Sequence, residues 1–184
     1  MTPTHPIETI AEKRRTSLGL YVTSKEAYDM WQAQPDLRIL DVRTPEEFVF
    51  VGHAPMAWNI PFTLLTYEWD PEKKALRWEL NPDFVDAVRG WAAPGETVLV
   101  TCRSGGRSAM AINALASAGF TGLYNILDGM EGSEVEDADS VFDGMRMKNG
   151  WRNSGLPWEY QIDPARMLLP PRQSRTFVAG NEHD

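Results

Sequence analysis

The sequence holds one cysteine among 184 residues, and that scarcity excludes whole classes of protein. A single thiol closes no intramolecular disulfide, so the chain is not a disulfide-stapled scaffold. It builds no Cys-rich zinc or iron–sulfur site, and with only His5, His53 and His183 a His-rich metal site is not expected either. Positive charge is also in deficit. Eighteen Lys and Arg against 26 Asp and Glu give a net charge of −8, the wrong sign for a protein that tracks nucleic-acid phosphates. No stretch approaches the roughly 20 apolar residues of a membrane span. Residues 1–20 are polar, group Lys13, Arg14 and Arg15, and lack the apolar run that follows the basic part of a secretory signal. These absences predict a soluble, cytoplasmic protein with a reduced thiol, no metal or cofactor, and neither nucleic acid nor membrane as partner.

What is present fits one α/β domain, at roughly 150 residues per domain. Residues 1–20 read as an arm or a loosely docked helix, 21–160 as the main domain and 161–184 as a tail with Pro164, Pro170 and Pro171. Thr23-Ser24-Lys25-Glu26 has the form of a capping box, and Ala27, Met30 and Trp31 follow at helical spacing, so 24–34 is a predicted helix ending near Pro35. Leu37, Ile39, Leu40 and Val42 form a short buried strand. Thr44-Pro45-Glu46-Glu47 opens a second helix with Pro at its first position. A strand at 57–60 follows, then a loop over 63–80 with one possible hairpin, and a helix from Asn81-Pro82 to Trp91. Thr97-Val98-Leu99-Val100-Thr101 is β-branched, apolar and uncharged, the signature of a buried strand. A helix over 107–118, with Gly119 at its C-terminal cap, and a strand over 123–127 complete the alternation. Strands alternating with helices point to a mainly parallel sheet covered on both faces. Glu131 to Asp143 carries six acidic and no basic residues and reads as a solvated acidic loop, since its spacing does not match a calcium loop.

The chemistry concentrates where the strand ending at Thr101 stops. In open α/β sheets ligands bind at the carboxyl ends of the strands, and Cys102 occupies that place. Ser104, Gly105 and Gly106 form a tight polar turn into a helix N-terminus, where successive N–H groups and the helix dipole favour negative charge. Arg103 and Arg107 add two cations, and Ser108 adds a hydroxyl. Such surroundings stabilise the ionised form of a thiol, which is the nucleophile, and suit covalent catalysis on an anionic substrate. His53, in Gly52-His53-Ala54-Pro55, is expected to make a structural hydrogen bond and not to serve as a base.

Five segments, in order, resemble the rhodanese family. They are Ile39-Leu40-Asp41-Val42-Arg43 with Glu46-Glu47-Phe48, and Gly52-His53-Ala54 with Ala57-Trp58-Asn59-Ile60-Pro61. Next come Cys102-Arg103-Ser104-Gly105-Gly106-Arg107-Ser108 and Asn125-Ile126-Leu127-Asp128-Gly129. Gly150-Trp151 through Gly155-Leu156-Pro157-Trp158 closes the series. The resemblance implies a rhodanese-like α/β fold with a mainly parallel five-stranded sheet and helices on both faces. It implies sulfur transfer through a persulfide on Cys102, with thiosulfate or a related persulfide as the anionic donor. Loop amides from Arg103 to Ser108 would hold the persulfide, Arg103 and Arg107 would dock the sulfonate, and Asp41 and Arg43 would be ion-pair and loop-bracing residues. The loop from Cys102 to Arg107 has six residues, one fewer than in phosphatases of similar fold, which disfavours a phosphatase or arsenate reductase. The chain departs from the family at Met56, where Gly is common, in the length of 63–80, and in the acidic segment 133–149. With no second cysteine, the sulfur must leave to an outside acceptor such as cyanide, a small thiol or a protein thiol. A persulfide carrier serving a partner protein is the alternative reading.

Overall fold

The computed structural model describes residues 5–168. Five parallel strands form the central sheet in the order β1-β7-β6-β2-β3. These are β1 (Tyr21–Val22), β2 (Arg38–Asp41), β3 (Ala57–Asn59), β6 (Val98–Thr101) and β7 (Leu123–Ile126). Three helices pack on it: α1 (Ser24–Ala33), α2 (Phe84–Trp91) and α3 (Gly106–Ser117). A separate antiparallel hairpin, β4 (Thr63–Asp70) and β5 (Ala75–Leu80), stands off the sheet.

Strand alternation decides which helix covers which face. Leu40, Val98, Val100 and Leu123 point to one side, where Phe84, Val88 of α2 and Ala111, Ile112, Leu115 of α3 complete a core. Ile39, Ala57, Leu99 and Ile126 point to the other, against Ala27 of α1, Phe48 and Trp151. All four residues of β6 are buried, so neither face of the strand tolerates a polar pattern. Each such Val or Leu contributes about 1.5–3 kcal/mol by leaving water.

Helix α1 starts where the sequence places it. Thr23 Oγ1 accepts from Glu26 N at 3.3 Å, and Glu26 Oε2 accepts from Thr23 N at 2.7 Å. Burial pushes the Glu26 carboxyl up, but its bonds to Thr23 and His5 outweigh that and hold it below the ordinary value. Asp128 ties the same helix start to the end of the domain, accepting from Ser24 N at 2.8 Å and Gly150 N at 3.0 Å.

One segment differs from the sequence reading, and two take a form that it left open. The helix expected at Thr44-Pro45 begins but widens into a π-turn, Glu47–Val51. It stops at Gly52, whose φ of 94° and contact with the Trp158 indole leave no room for a Cβ. Segment 63–80 is a full hairpin, with an irregular register between Leu65 and Trp69. It leaves Trp69 59% and Trp78 54% exposed, so no core burial marks these strands in the sequence. The arm holds two short 3-10 turns, Ile7–Thr9 and Glu12–Arg14, instead of one helix, and the second packs against α3.

At the other end, Leu168 N donates to Asn59 O at 2.9 Å on the outer side of β3. Pro170 and Pro171 of the expected tail lie outside the described residues. Among the described residues no helix is long and apolar enough to cross a membrane.

Candidate active site

Strands β2 and β6 run level, with Asp41 beside Thr101, so their carboxyl ends open at the same height. Cys102 follows β6 directly and is 1% exposed. The chain then turns through Gly105, at φ 89°, into α3. A Cβ at Gly105 would run into the Leu127 carbonyl, so only glycine makes this turn against β7.

The carbonyls of the turn are bonded to neighbouring segments. Cys102 O accepts from Met130 N at 2.8 Å, and Arg103 O accepts from Glu131 N at 2.9 Å and Gly132 N at 3.2 Å. Gly105 O accepts from Asn125 Nδ2 at 3.0 Å. Gly129 permits this close approach: at its φ of 64°, an added Cβ would lie 2.6 Å from Cys102 O. With the carbonyls held by these donors, the peptide dipoles of the turn are fixed, and Gly105 N donates to Cys102 Sγ at 3.1 Å. Ser108 is buried on the first turn of α3, with Oγ 3.4 Å from Sγ and 2.6 Å from Asn125 Oδ1.

The two arginines of the loop have different surroundings. Arg107 forks onto Glu47, Nη1 to Oε2 at 2.6 Å and Nη2 to Oε1 at 2.5 Å. Glu47 is itself set by Thr44, whose N donates to Oε2 at 3.1 Å while Thr44 Oγ1 accepts from Glu47 N at 3.3 Å. Burial pushes the Glu47 carboxyl up, but the Arg107 fork, the Thr44 N–H and the Arg43 charge outweigh it and hold it below the ordinary value. For Arg107 burial favours the neutral form, but Glu47 and the nearby Cys102 and Asp41 keep it more firmly protonated than usual. Arg103 is exposed, and among the described residues no carboxylate pairs with it. Ser104 and Gly106 are half-buried between them.

Asp41 and Arg43 lie at the end of β2 as a buried pair. Arg43 is 0% exposed, and its Nη2 donates to Asp41 Oδ2 and to Gly52 O, both at 2.8 Å. Burial works against its charge, and Asp41, Glu47 and Glu131 more than compensate. Its Nη1 lies 3.8 Å from Glu131 Oε1, on the residue whose N–H holds Arg103 O, so the pair braces the turn at one remove. His53 bonds through Nδ1 to Phe48 O at 3.0 Å and stacks on the Phe48 ring; these partners belong to the π-turn, not to the cysteine loop.

The fold therefore gathers Cys102, Gly105 and Ser108 around one sulfur, puts Arg107 beside it in a pair, and leaves Arg103 at the rim. Sequence reasoning missed Glu47 and Asn125 as site residues. The Thr44/Glu47 spacing is a readable capping signal. Nothing local in the sequence shows that Glu47 then meets Arg107, 60 positions away.

The profile of the Rhodanese-like domain matches residues 23–134. The chain is 38% identical over 120 residues to "Thiosulfate sulfurtransferase 16, chloroplastic" of Arabidopsis thaliana, covering 65% of this chain and 89% of that protein. It is 32% identical over 143 residues to an uncharacterized protein of Rickettsia conorii, covering 76% of this chain and 96% of that one. The crystal structure of Rv0390 from M. tuberculosis superposes with a TM-score of 0.59 at 29% identity, covering 76% of this chain and 96% of that one. A five-stranded parallel sheet with helices on both faces, a cysteine at the end of its central strand and these matches have one common explanation: the chain belongs to the rhodanese-like sulfurtransferase family.

Proposed function

We propose that the protein is a thiosulfate sulfurtransferase that works through a persulfide on Cys102. The observation that carries this reading is the Gly105 N–H aimed at Sγ of the only cysteine, in a turn whose carbonyls are bonded elsewhere. The Cys102 thiolate attacks the outer sulfur of thiosulfate. A new S–S bond forms, the bond between the outer and sulfonate sulfurs breaks, and its electron pair leaves with sulfite. An acceptor (cyanide, a small thiol or a protein thiol) then takes the outer sulfur, and the electrons of the Cys102 S–S bond return to Sγ. With cyanide the product is thiocyanate.

The charges divide this work. Arg103, exposed and without a carboxylate partner among the described residues, docks the sulfonate. Arg107, held by Glu47, adds a fixed positive field beside the sulfur and has little spare hydrogen-bonding capacity for a ligand. Loop amides on the open side of the turn receive the negative outer sulfur. The reduced thiol that this requires agrees with the cytoplasmic setting expected from the sequence, and the name of the Arabidopsis relative supports thiosulfate as donor.

A donor panel tests the proposal. Purified protein is incubated with thiosulfate, mercaptopyruvate or glutathione persulfide, its mass is followed, and thiocyanate is measured with cyanide. One added sulfur from thiosulfate, with turnover abolished in Cys102→Ser, is the expected result. Undiminished thiocyanate formation by Cys102→Ser overturns the reading.

A further inference from the structure

The hydrogen bonds around Asn125 determine where the Ser108 proton goes. Asn125, on β7, donates through Nδ2 to Arg14 O at 2.9 Å and to Gly105 O at 3.0 Å. Both partners are backbone carbonyls and only accept, so the nitrogen side of the amide is fixed toward them. Oδ1 is then the atom facing Ser108 Oγ at 2.6 Å, and a carbonyl oxygen only accepts. The one hydroxyl proton of Ser108 is committed to Asn125. Toward Cys102 Sγ, 3.4 Å away, Ser108 presents a lone pair.

We propose that Asn125 is a positioning residue for the sulfur site, turning the Ser108 hydroxyl so that Cys102 Sγ meets an oxygen lone pair and not a proton. The consequence differs between states of the sulfur, and here the inference rests on the persulfide reading above. A neutral Sγ, as in a thiol or in the inner sulfur of a persulfide, is compatible with a lone pair, and a thiol can donate to it. A thiolate is repelled by it. In the persulfide the negative charge sits on the outer sulfur, away from Ser108. Asn125 therefore favours loaded over unloaded enzyme, and makes Cys102 a poorer leaving group until a strong acceptor arrives.

The charged groups on the elements packed against the turn are Arg107 with Glu47, Asp41 and Arg43 at the end of β2, Glu131 after β7, and Arg103 and Arg14 on the turn and the arm. Neither Asn125→Ala nor Ser108→Ala removes any of these charges, although the first releases the backbone carbonyl of Arg14. The two substitutions combine in a double-mutant cycle. Because the protein has one cysteine, absorbance at 240 nm, corrected with Cys102→Ser, follows ionisation of that thiol alone.

Freeing the Ser108 proton in Asn125→Ala lets it donate to the thiolate, so the midpoint of the absorbance change moves to lower pH by about one unit. In the Ser108→Ala background the same substitution has no hydroxyl to release and moves nothing. At a pH above both midpoints, where the thiol is fully ionised in each protein, single-turnover loading from thiosulfate falls severalfold in Asn125→Ala and not further in the double variant. A purely structural role gives the opposite sign: losing the anchor on Gly105 O weakens the Gly105 N–H bond to sulfur and moves the midpoint up.

A midpoint that rises or stays in Asn125→Ala, or a fall that persists without Ser108, overturns the proposal. Should Asn125→Ala not fold, Ser108→Ala decides alone: no rise supports the lone-pair assignment, and a rise of about one unit refutes it. The titration needs no sulfur transfer, so it separates failure of this inference from failure of the proposed activity.

Discussion

Arg107 and Glu47 meet as a two-pronged ion pair across 60 positions of sequence, joining the first turn of α3 to the π-turn after β2. The pair does two things. It fastens the cysteine loop to a second element of the sheet's carboxyl edge, and it spends the hydrogen-bonding face of Arg107 on protein. That separates the roles proposed for the two loop arginines.

Arg103→Ala is expected to raise KM for thiosulfate about tenfold, the loss of one charge-assisted contact to the sulfonate, with stability unchanged. Arg107→Ala is expected to lower stability by about 2 kcal/mol, because a largely buried Glu47 is left without its partner. Steady-state kinetics and urea unfolding of both variants check the division. Equal effects of the two substitutions on KM, with no stability difference, would show that both arginines bind donor.

The same pair has a pH signature. The Glu47 carboxyl is held below its ordinary value of 4.5 when folded, so the unfolded chain binds the proton more readily. The stabilisation is fully present above that unfolded value and is lost as pH falls through the lower folded one. The stability gap between wild type and Glu47→Gln should be constant from pH 7 down to about 5 and close below about 4. Denaturant unfolding at several pH values measures it, and a gap that widens with acid contradicts the assignment.

Gly129 is the third test of the loop. Its φ of 64° disfavours other residues, and a Cβ would lie 2.6 Å from Cys102 O and 2.7 Å from Ser104 N. Gly129→Ala should cost about 2 kcal/mol or more and displace the turn that presents Gly105 N–H to sulfur. The expected readout is a fall in kcat of at least about tenfold with a smaller change in KM, since the docking role proposed for the exposed Arg103 is left intact. Retention of full kcat would mean that the carbonyl anchors do not set the amide directions.

Much of this arrangement was legible in the sequence because it is local. The uncharged run Val98 to Thr101 marks a strand buried on both faces, and Thr23 with Glu26 marks a helix start through contacts three residues apart. Cys102, Gly105 and Ser108 converge because a strand, a tight turn and a helix place them within one short segment. The two-residue strand β1 carries too little pattern, since its pairing of Tyr21 with Asn125 depends on distant chain. The π-turn depends on Gly52 meeting Trp158, and the contacts of Asn125 depend on two other segments, the arm at Arg14 and the cysteine loop at Gly105 and Ser108. Long-range complementarity of this kind leaves no periodicity to read.

The hairpin β4–β5 offers a prediction about what the domain can do without. Its strands pair with each other and with no strand of the central sheet. Its ends are already joined underneath, where Asn81 N donates to Phe62 O at 2.9 Å and Asn81 Nδ2 to Pro61 O at 2.8 Å. Replacing residues 64–79 with a short glycine-containing turn should therefore preserve the fold, with Tm lowered by no more than about 5 °C, on the order of 1 kcal/mol for a domain of this size. One attachment that is lost at the site is the Tyr67 hydroxyl on Glu46 Oε1, at 2.5 Å, next to the carboxylate that holds Arg107. If that neighbour matters only for fastening the hairpin, the excised protein transfers sulfur from thiosulfate to cyanide at close to the full rate. A large loss of kcat with Tm retained would instead make the hairpin part of the catalytic scaffold, acting through Glu46 and Glu47 on Arg107.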